Sequence, residues 1–178
     1  MQKIILTYGI IAGSIIIGSI VISLGLETFD SKDMSSLEWL GYLFMILALS
    51  MIFVGIKRYR DRELGGVIKF GTAVLLGLGI TGVASVIYVV VWEVNLALTD
   101  YAFIHEYTDS IISAKKGAGA SPEELETVQA EMDTMIANYG NPLYRLPMTF
   151  MEIFPVGLLI SLISAGVLRN AKVLPASA

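Results

Sequence analysis

The chain contains no cysteine and only one histidine in 178 residues. The missing cysteine excludes disulfides, thiolate nucleophiles and most structural zinc sites. The single histidine, His105, lacks the neighbouring pattern of an activated nucleophile, so we interpret it as a surface residue, with pH sensing as the alternative. The carboxylates Glu123, Glu124 and Glu126 lack the spacing of a calcium loop. The sequence therefore predicts neither an enzyme nor a metal or cofactor site.

Charge is also scarce, at 16% of the residues, whereas 55% are hydrophobic and the mean hydropathy is +0.72. A soluble core of this size cannot bury so much apolar surface, so the composition indicates a membrane protein. The net charge of −4 argues against nucleic acid as a partner, because nucleic-acid binders present a cationic face. The lipid bilayer is the partner that the composition predicts.

Four apolar stretches are long enough to cross a bilayer, which takes about 20 helical residues. They cover residues about 4–26, 37–56, 67–92 and 148–168, and no charge lies near the middle of any of them. Trp39, Tyr42 and Trp92 lie at their ends, where aromatic rings favour the headgroup level. The predicted fold class is all-α, a polytopic protein whose residues 1–178 form a single membrane domain.

Positive charge concentrated in residues 55–69 orients these helices, because short cationic loops stay on the side from which a membrane protein is inserted. We expect this loop, and with four crossings both termini, in the cytoplasm. Eight of the twelve cations then lie inside, namely Lys3, Lys57, Arg58, Arg60, Arg62, Lys69, Arg169 and Lys172. The other four, Lys32, Lys115, Lys116 and Arg145, lie outside.

Residues 93–147 are predicted to form an extracytoplasmic helical hairpin. No glycine or proline occurs between Gly82 and Gly117, so we expect the third helix to run unbroken from about residue 67 to about 114. Ser121, Pro122 and Glu124 predict the start of the next helix, with a capping box. The two helices are expected to pack through apolar faces, which comprise Leu98, Tyr101, Ile104 and Ile111 on the first and Leu125, Val128, Met132, Met135 and Ile136 on the second.

Two polar groups are the candidate sites. The first is an interaction or lipid-facing loop that comprises Lys57, Arg58, Tyr59, Arg60, Asp61 and Arg62. Within it we expect an exposed Arg60–Asp61 ion pair, which contributes about 0–1 kcal/mol. The second comprises Arg145, Glu152 and Pro155 of the fourth helix. Because Arg145 precedes Glu152 by seven residues on one helical face, the two are expected to pair, either as an interfacial anchor or as part of a substrate site.

Small residues recur at four-residue spacing within the crossings, as in Gly9 and Gly13, Gly77 and Thr81, or Gly157 and Ser161. Such rows let helix backbones approach closely in lipid. They predict close helix contacts, either within one chain or between copies in a homo-oligomer.

Two blocks of the sequence resemble the bacterial integral-membrane family called domain of unknown function 4199. The first block is residues 53–66 (FVGIKRYRDRELGG). The second lies within residues 141–165 and consists of Asn141-Pro142-Leu143 and the run from Met148 to Ala165. The resemblance covers nearly the whole chain. It implies a four-crossing protein of the bacterial inner membrane with an extramembrane segment before the last helix. It implies no activity, substrate or catalytic residue.

The sequence thus favours a noncatalytic inner-membrane scaffold or interaction protein that meets a protein partner through the hairpin. The alternative is a small transporter or channel that acts as an oligomer. The missing central charges count against a coupled transporter, because such charges usually mark ion or proton paths.

Overall fold

A computed structural model of the protein describes the backbone of residues 1–27 and 34–175 and the side chains of all of these except 23–27 and 34–40. Every element in those ranges is an α-helix: α1 (Gln2–Glu27), α2 (Met34–Glu63), α3 (Phe70–Leu98), α4 (Ala102–Gly117), α5 (Pro122–Tyr139) and α6 (Pro142–Leu168). The sequence analysis predicts that Lys32 lies outside the membrane and Trp39 at its surface, but the side chains of these two residues are not among those described.

Four of these helices are long and apolar enough to cross a membrane, over Gln2–Ile22, Gly41–Glu63, Phe70–Leu98 and Pro142–Leu168. The prediction of an all-α chain with four long apolar helices is therefore confirmed. Several side chains on these helices are large, apolar and more than half exposed: Leu6, Ile10, Ile46, Leu75, Leu159 and Ile163. Helices that are apolar on both their inner and outer faces are typical of proteins surrounded by lipid. The protein is a multi-pass membrane protein.

The chain divides into two compact units, the first made of Met1–Tyr88 and Phe150–Ala178 and the second of Val89–Thr149. The core of the first unit draws on α1, α2, α3 and α6, and its larger buried members are Tyr8, Ile16, Leu49, Ile52, Ile56, Leu76, Ile80, Ile153 and Leu168. In the second unit Leu96, Ile104 and Tyr139 form a smaller buried cluster of their own.

Glycines bring the helices of the first unit into close contact. A methyl group added at Gly157 of α6 would overlap the side chain of Thr81 on α3, and one added at Gly77 of α3 would lie 2.7 Å from Cβ of Ser161 on α6. Gly9 of α1 meets α3 in the same way. The predicted small-residue rows therefore form contacts within the chain, with α3 as the helix that the others approach.

The contact at Gly157 gives a test. The variant Gly157→Ala should lower the free energy of unfolding by about 1–3 kcal/mol, because the added methyl group has no space beside Thr81. The matched control is Gly166→Ala in the same helix, where nothing lies within 4 Å. It should leave stability unchanged or raise it by up to about 1 kcal/mol, since alanine is the better helix former. Thermal unfolding in detergent measures both, and equal midpoints would contradict the close packing.

The basic stretch at residues 55–69 is largely helical and not a loop. α2 continues to Glu63, so most of the cations lie on its last two turns. Gly65 and Gly66 have φ angles of 65° and 92°, and the Gly66 N–H donates to the carbonyl of Arg60 at 2.9 Å. Glycine adopts such left-handed angles without strain, so Gly65 and Gly66 allow the chain to turn directly after the helix.

The prediction of an unbroken third helix is wrong, because α3 ends at Leu98 and α4 begins at Ala102. Asp100 and Tyr101 have φ angles of 49° and 59°, which cost non-glycine residues roughly 1–2 kcal/mol each. Leu98, expected to pack in the hairpin, is 80% exposed. Asp100 is a weak local signal for this turn, because aspartate tolerates left-handed angles better than most residues, whereas Tyr101 gives no such signal. Contacts made elsewhere in the second unit therefore help to stabilise the turn.

α5 begins as predicted. The Ser121 hydroxyl accepts from the Glu124 N–H, and the Glu124 carboxylate accepts from the Ser121 N–H at 2.8 Å, which completes the capping box. α4 and α5 contact each other, and Met135 of α5 packs against the cluster that contains Ile104 of α4. The apolar face predicted for α5 is therefore its packed face.

The capping box makes α5 sensitive to acid. The hydrogen bond from the Ser121 N–H lowers the pKa of Glu124 below its ordinary range. The contribution of this hydrogen bond to the stability of α5 is therefore complete above the ordinary carboxyl pKa. It is lost as the pH falls through the lowered pKa of Glu124 in the folded state. The protection of the α5 amides against hydrogen exchange, measured relative to the intrinsic exchange rate at each pH, should fall across that window in the native chain. The loss of protection should be smaller in Glu124→Gln, whereas the control Glu126→Gln should behave like the native chain.

Candidate functional site

Arg60 is the most completely buried charged residue near the end of α2, with no exposed surface at all. Its Nη1 atom donates to the carbonyls of Leu168, at 3.3 Å, and Val173, at 3.0 Å, and its Nη2 atom donates to the carbonyl of Leu174. Carbonyls at a helix C-terminus lack partners within the helix and carry partial negative charge, which a guanidinium satisfies. Arg60 thus joins the end of α2 to the end of α6.

Asp61 completes this arrangement, which we call the Arg60 network. Its carboxylate accepts from Arg60 Nε at 2.7 Å and from Lys57 Nζ at 2.6 Å. The predicted Arg60–Asp61 pair is therefore present, but the expectation that it is exposed is wrong. Removing one partner from a buried guanidinium leaves an uncompensated charge, so we expect the loss of Arg60 or Asp61 to cost more than the roughly 0–1 kcal/mol of an exposed pair.

The remaining residues of the basic stretch have different surroundings. Tyr59 is partly buried and packs against the core of the first unit. Arg58 and Arg62 are exposed and line a cavity that Lys3 of α1 also lines. The candidate loop is thus the end of a helix with two faces. On one face Arg60 is buried and bonded within the protein, and on the other Arg58 and Arg62 line the cavity.

Arg145 organises the second unit in a similar way. It is only 2% exposed, and it pairs with Glu93 through two parallel contacts, from Nε to Oε1 at 2.7 Å and from Nη2 to Oε2 at 2.6 Å. Its remaining nitrogen, Nη1, donates to the carbonyl of Tyr139 at 2.7 Å. This forked geometry is the strongest form of arginine–carboxylate pairing. It ties the start of α6 to the C-terminal part of α3 and the end of α5.

Aromatic rings surround the Arg145 guanidinium. Its central carbon lies 5.1 Å from the ring centroid of Tyr101 and 5.7 Å from that of Tyr139, within the range of a cation–π interaction. The Trp92 indole N–H donates to the Tyr139 hydroxyl at 2.8 Å, and Phe103 meets the Trp92 ring edge-on at 4.9 Å. The Tyr101 contact offsets part of the cost of the left-handed turn that separates α3 from α4. We call this set the Arg145 network.

The predicted polar site of Arg145, Glu152 and Pro155 does not assemble as expected. All three guanidinium nitrogens of Arg145 are engaged by Glu93 and Tyr139, so Arg145 does not pair with Glu152. Glu152 instead accepts from the Tyr88 hydroxyl at 2.8 Å. Pro155 is exposed and does not interrupt α6, which is continuous from Pro142 to Leu168.

Glu93 is a residue to which the sequence analysis assigned no role. A signal was present, because Glu93 is the first charge after the third apolar run and follows the interfacial Trp92 directly. Arg145 occupies the matching position just before the fourth run. Opposite charges at the two membrane edges of the extramembrane segment are well placed to pair.

Comparison with known proteins identifies one family. A family model described as "Protein of unknown function (DUF4199)" matches residues 7–170, a range that contains the whole Arg145 network and, of the Arg60 network, every residue except Val173 and Leu174. No curated protein and no solved structure matches the chain.

Proposed function

Because the chain belongs to the DUF4199 family, whose members are proteins of unknown function, we propose from its own geometry that it is a noncatalytic scaffold of the bacterial inner membrane. The observation that carries this proposal is the use of the buried charges. Arg60 and Arg145 are held by carboxylates and backbone carbonyls, and Arg145 also by aromatic rings. Groups held in this way fix the geometry of a chain, and their burial leaves almost none of their surface open to a substrate.

In this proposal the hairpin of α4 and α5 is extracytoplasmic and meets a protein partner. The exposed surface of these helices is rich in carboxylates, which comprise Glu106, Asp109, Glu123, Glu126, Glu131 and Asp133. Such a surface favours a partner that presents cations, because complementary charge accelerates encounter and suppresses wrong partners.

The orientation follows from the distribution of cations, with eight of twelve inside. A fluorescent reporter that matures only in the cytoplasm should be active when fused after Ala178. A phosphatase that is active only in the periplasm should work when inserted at Ala118 between α4 and α5. The opposite pattern at both positions would overturn the topology.

Photocrosslinking in native membranes tests the scaffold. A photoreactive residue at Glu126 or Ala130, both exposed on α5, should give one discrete protein adduct of fixed stoichiometry. The matched control at Leu159, exposed on α6 within a membrane span, should give lipid adducts. Lipid adducts at all three positions would argue against a protein partner on the hairpin.

One observation favours the second candidate, a transporter or channel that acts as a homo-oligomer. The Glu152–Tyr88 hydrogen bond places a carboxyl group inside the span Pro142–Leu168, where polar groups commonly serve transport. Flux measurements in proteoliposomes separate the two functions. Ion or solute flux that disappears in Glu152→Gln would establish the transporter, whereas absence of flux in the native protein agrees with the scaffold.

A further inference from the structure

A cavity of about 530 Å³ lies at the start of α1 and the end of α2, both in the first unit. Its size is within the range of about 300–1,000 Å³ that is usual for small-molecule sites. It is located at the ends of the spans Gln2–Ile22 and Gly41–Glu63, where a bilayer changes from hydrocarbon to headgroups. This position makes lipid the molecule that is most concentrated at its opening.

The polar wall of the cavity is cationic. Lys3 of α1 and Arg58 and Arg62 of α2 line it, and the two arginines are four residues apart, on one face of the helix. Within residues 1–27 and 34–175, none of the salt bridges involves these three side chains, in contrast to Lys57 and Arg60. Glu63 is the one carboxylate among the described lining residues, so an excess of positive charge remains for a ligand.

The other wall is apolar. Ile4, Tyr8 and Ile11 follow one another along α1 at helical spacing and line the same cavity. Ile11 is 40% exposed and the adjacent Ile10 is 52% exposed, so the apolar wall borders the lipid-facing surface of the span. A free phosphate ion would use only the cationic wall. A phospholipid would use both, because its phosphate and its acyl chains are joined in one molecule.

We propose that this cavity binds an anionic phospholipid, with the headgroup phosphate held by Lys3, Arg58 and Arg62 and an acyl chain lying along Ile4, Tyr8 and Ile11. Basic pockets between membrane helices on the cytoplasmic side are suited to anionic headgroups. Arg58 and Arg62, which lie on the exposed face of α2 while Arg60 is buried on the other, would thus bind a ligand. The proposal is independent of whether the hairpin meets a partner, and it stands equally for a scaffold or a transporter.

Lipid titration followed by native mass spectrometry of the full chain in detergent tests the proposal. The probes are phosphatidylglycerol, phosphatidylcholine and inorganic phosphate. The native chain should bind phosphatidylglycerol in preference to phosphatidylcholine. The double variant Arg58→Gln/Arg62→Gln should lose about 30-fold in affinity for phosphatidylglycerol, at about fivefold per cation. The matched control Arg169→Gln/Lys172→Gln removes two exposed cations outside the cavity and should lose less than threefold.

Equal losses in the two double variants would overturn the site, since they would show general attraction to the charged surface. Equal affinity of the native chain for the two lipids would overturn it as well. A second variant, Ile11→Trp, fills the apolar wall and leaves every charge in place. It should weaken phosphatidylglycerol binding and leave any phosphate binding unchanged. If Ile11→Trp has no effect and inorganic phosphate displaces the lipid at equal concentration, the site is a phosphate site and the lipid proposal fails.

Discussion

Replacing Arg60 with glutamine should destabilise the first unit by about 3–5 kcal/mol, the usual cost of removing one partner from a buried charged network. The variant leaves the carbonyls of Leu168, Val173 and Leu174 without the donor that satisfies them. It also leaves Asp61 with Lys57 as its remaining ion-pair partner. We expect the fraction of folded protein recovered from membranes, and the midpoint of thermal unfolding in detergent, to fall together.

Arg62→Gln is the matched control, because it removes the same charge two residues later from an exposed position. It should change the unfolding midpoint little. The conservative variant Arg60→Lys should rescue only part of the loss, since one ammonium group cannot reach the Asp61 carboxylate and the carbonyls at the end of α6 with the same fork of donors. Equal midpoints for Arg60→Gln and Arg62→Gln would show that the buried network contributes nothing.

The second large effect is expected at Glu93. The change Glu93→Gln leaves the buried Arg145 without a charged partner, so the second unit should lose about 3–5 kcal/mol. Hydrogen exchange resolved to peptides should show faster exchange in α4 and α5. A double-mutant cycle with Arg145→Gln should give a coupling energy of about 1–3 kcal/mol, because both variants disrupt the same contact.

Glu152→Gln distinguishes this pairing from the one that the sequence suggests. Since Glu152 accepts from Tyr88 and not from Arg145, this variant should leave exchange in α4 and α5 as it is in the native chain. Faster exchange of the same peptides in Glu152→Gln and in Glu93→Gln would mean that Arg145 depends on both carboxylates, and the assignment to Glu93 alone would be wrong.

The long apolar helices and the start of α5 were predictable because their signals are local. Hydropathy over about 20 residues identifies a crossing, and Ser121, Pro122 and Glu124 specify a helix start through contacts within four residues. The turn between α3 and α4 was not predicted, because Asp100 is only a weak turn signal and Tyr101 does not favour left-handed angles. It depends on a contact between Tyr101 and Arg145, which are far apart in the sequence.

The spacing of residues along α2, unlike the composition of the basic stretch, indicates that Arg60 is buried. Ile52, Ile56 and Arg60 recur at four-residue spacing, and all three are fully buried, so Arg60 continues the buried face of α2. Its carbonyl partners could not be predicted, because they are backbone groups of Leu168, Val173 and Leu174, at the end of α6 and just after it. Every residue has a backbone carbonyl, so the residue type does not indicate which of them will accept a hydrogen bond. The same limit applies to the carbonyl of Tyr139 that Arg145 binds.

The carbonyls that receive Arg60 follow it by 108 to 114 residues in the chain, which sets the order of events during synthesis. α2 leaves the ribosome long before the end of α6 exists, so the Nη atoms of Arg60 cannot meet these carbonyls until residues 168–174 have been made. The burial of Arg60 is therefore completed late in folding, after α6 and the residues that follow it have been made. A chain that stops before residue 168 keeps Asp61 beside this arginine but lacks the three carbonyl partners, which distinguishes the unfinished protein from the finished one.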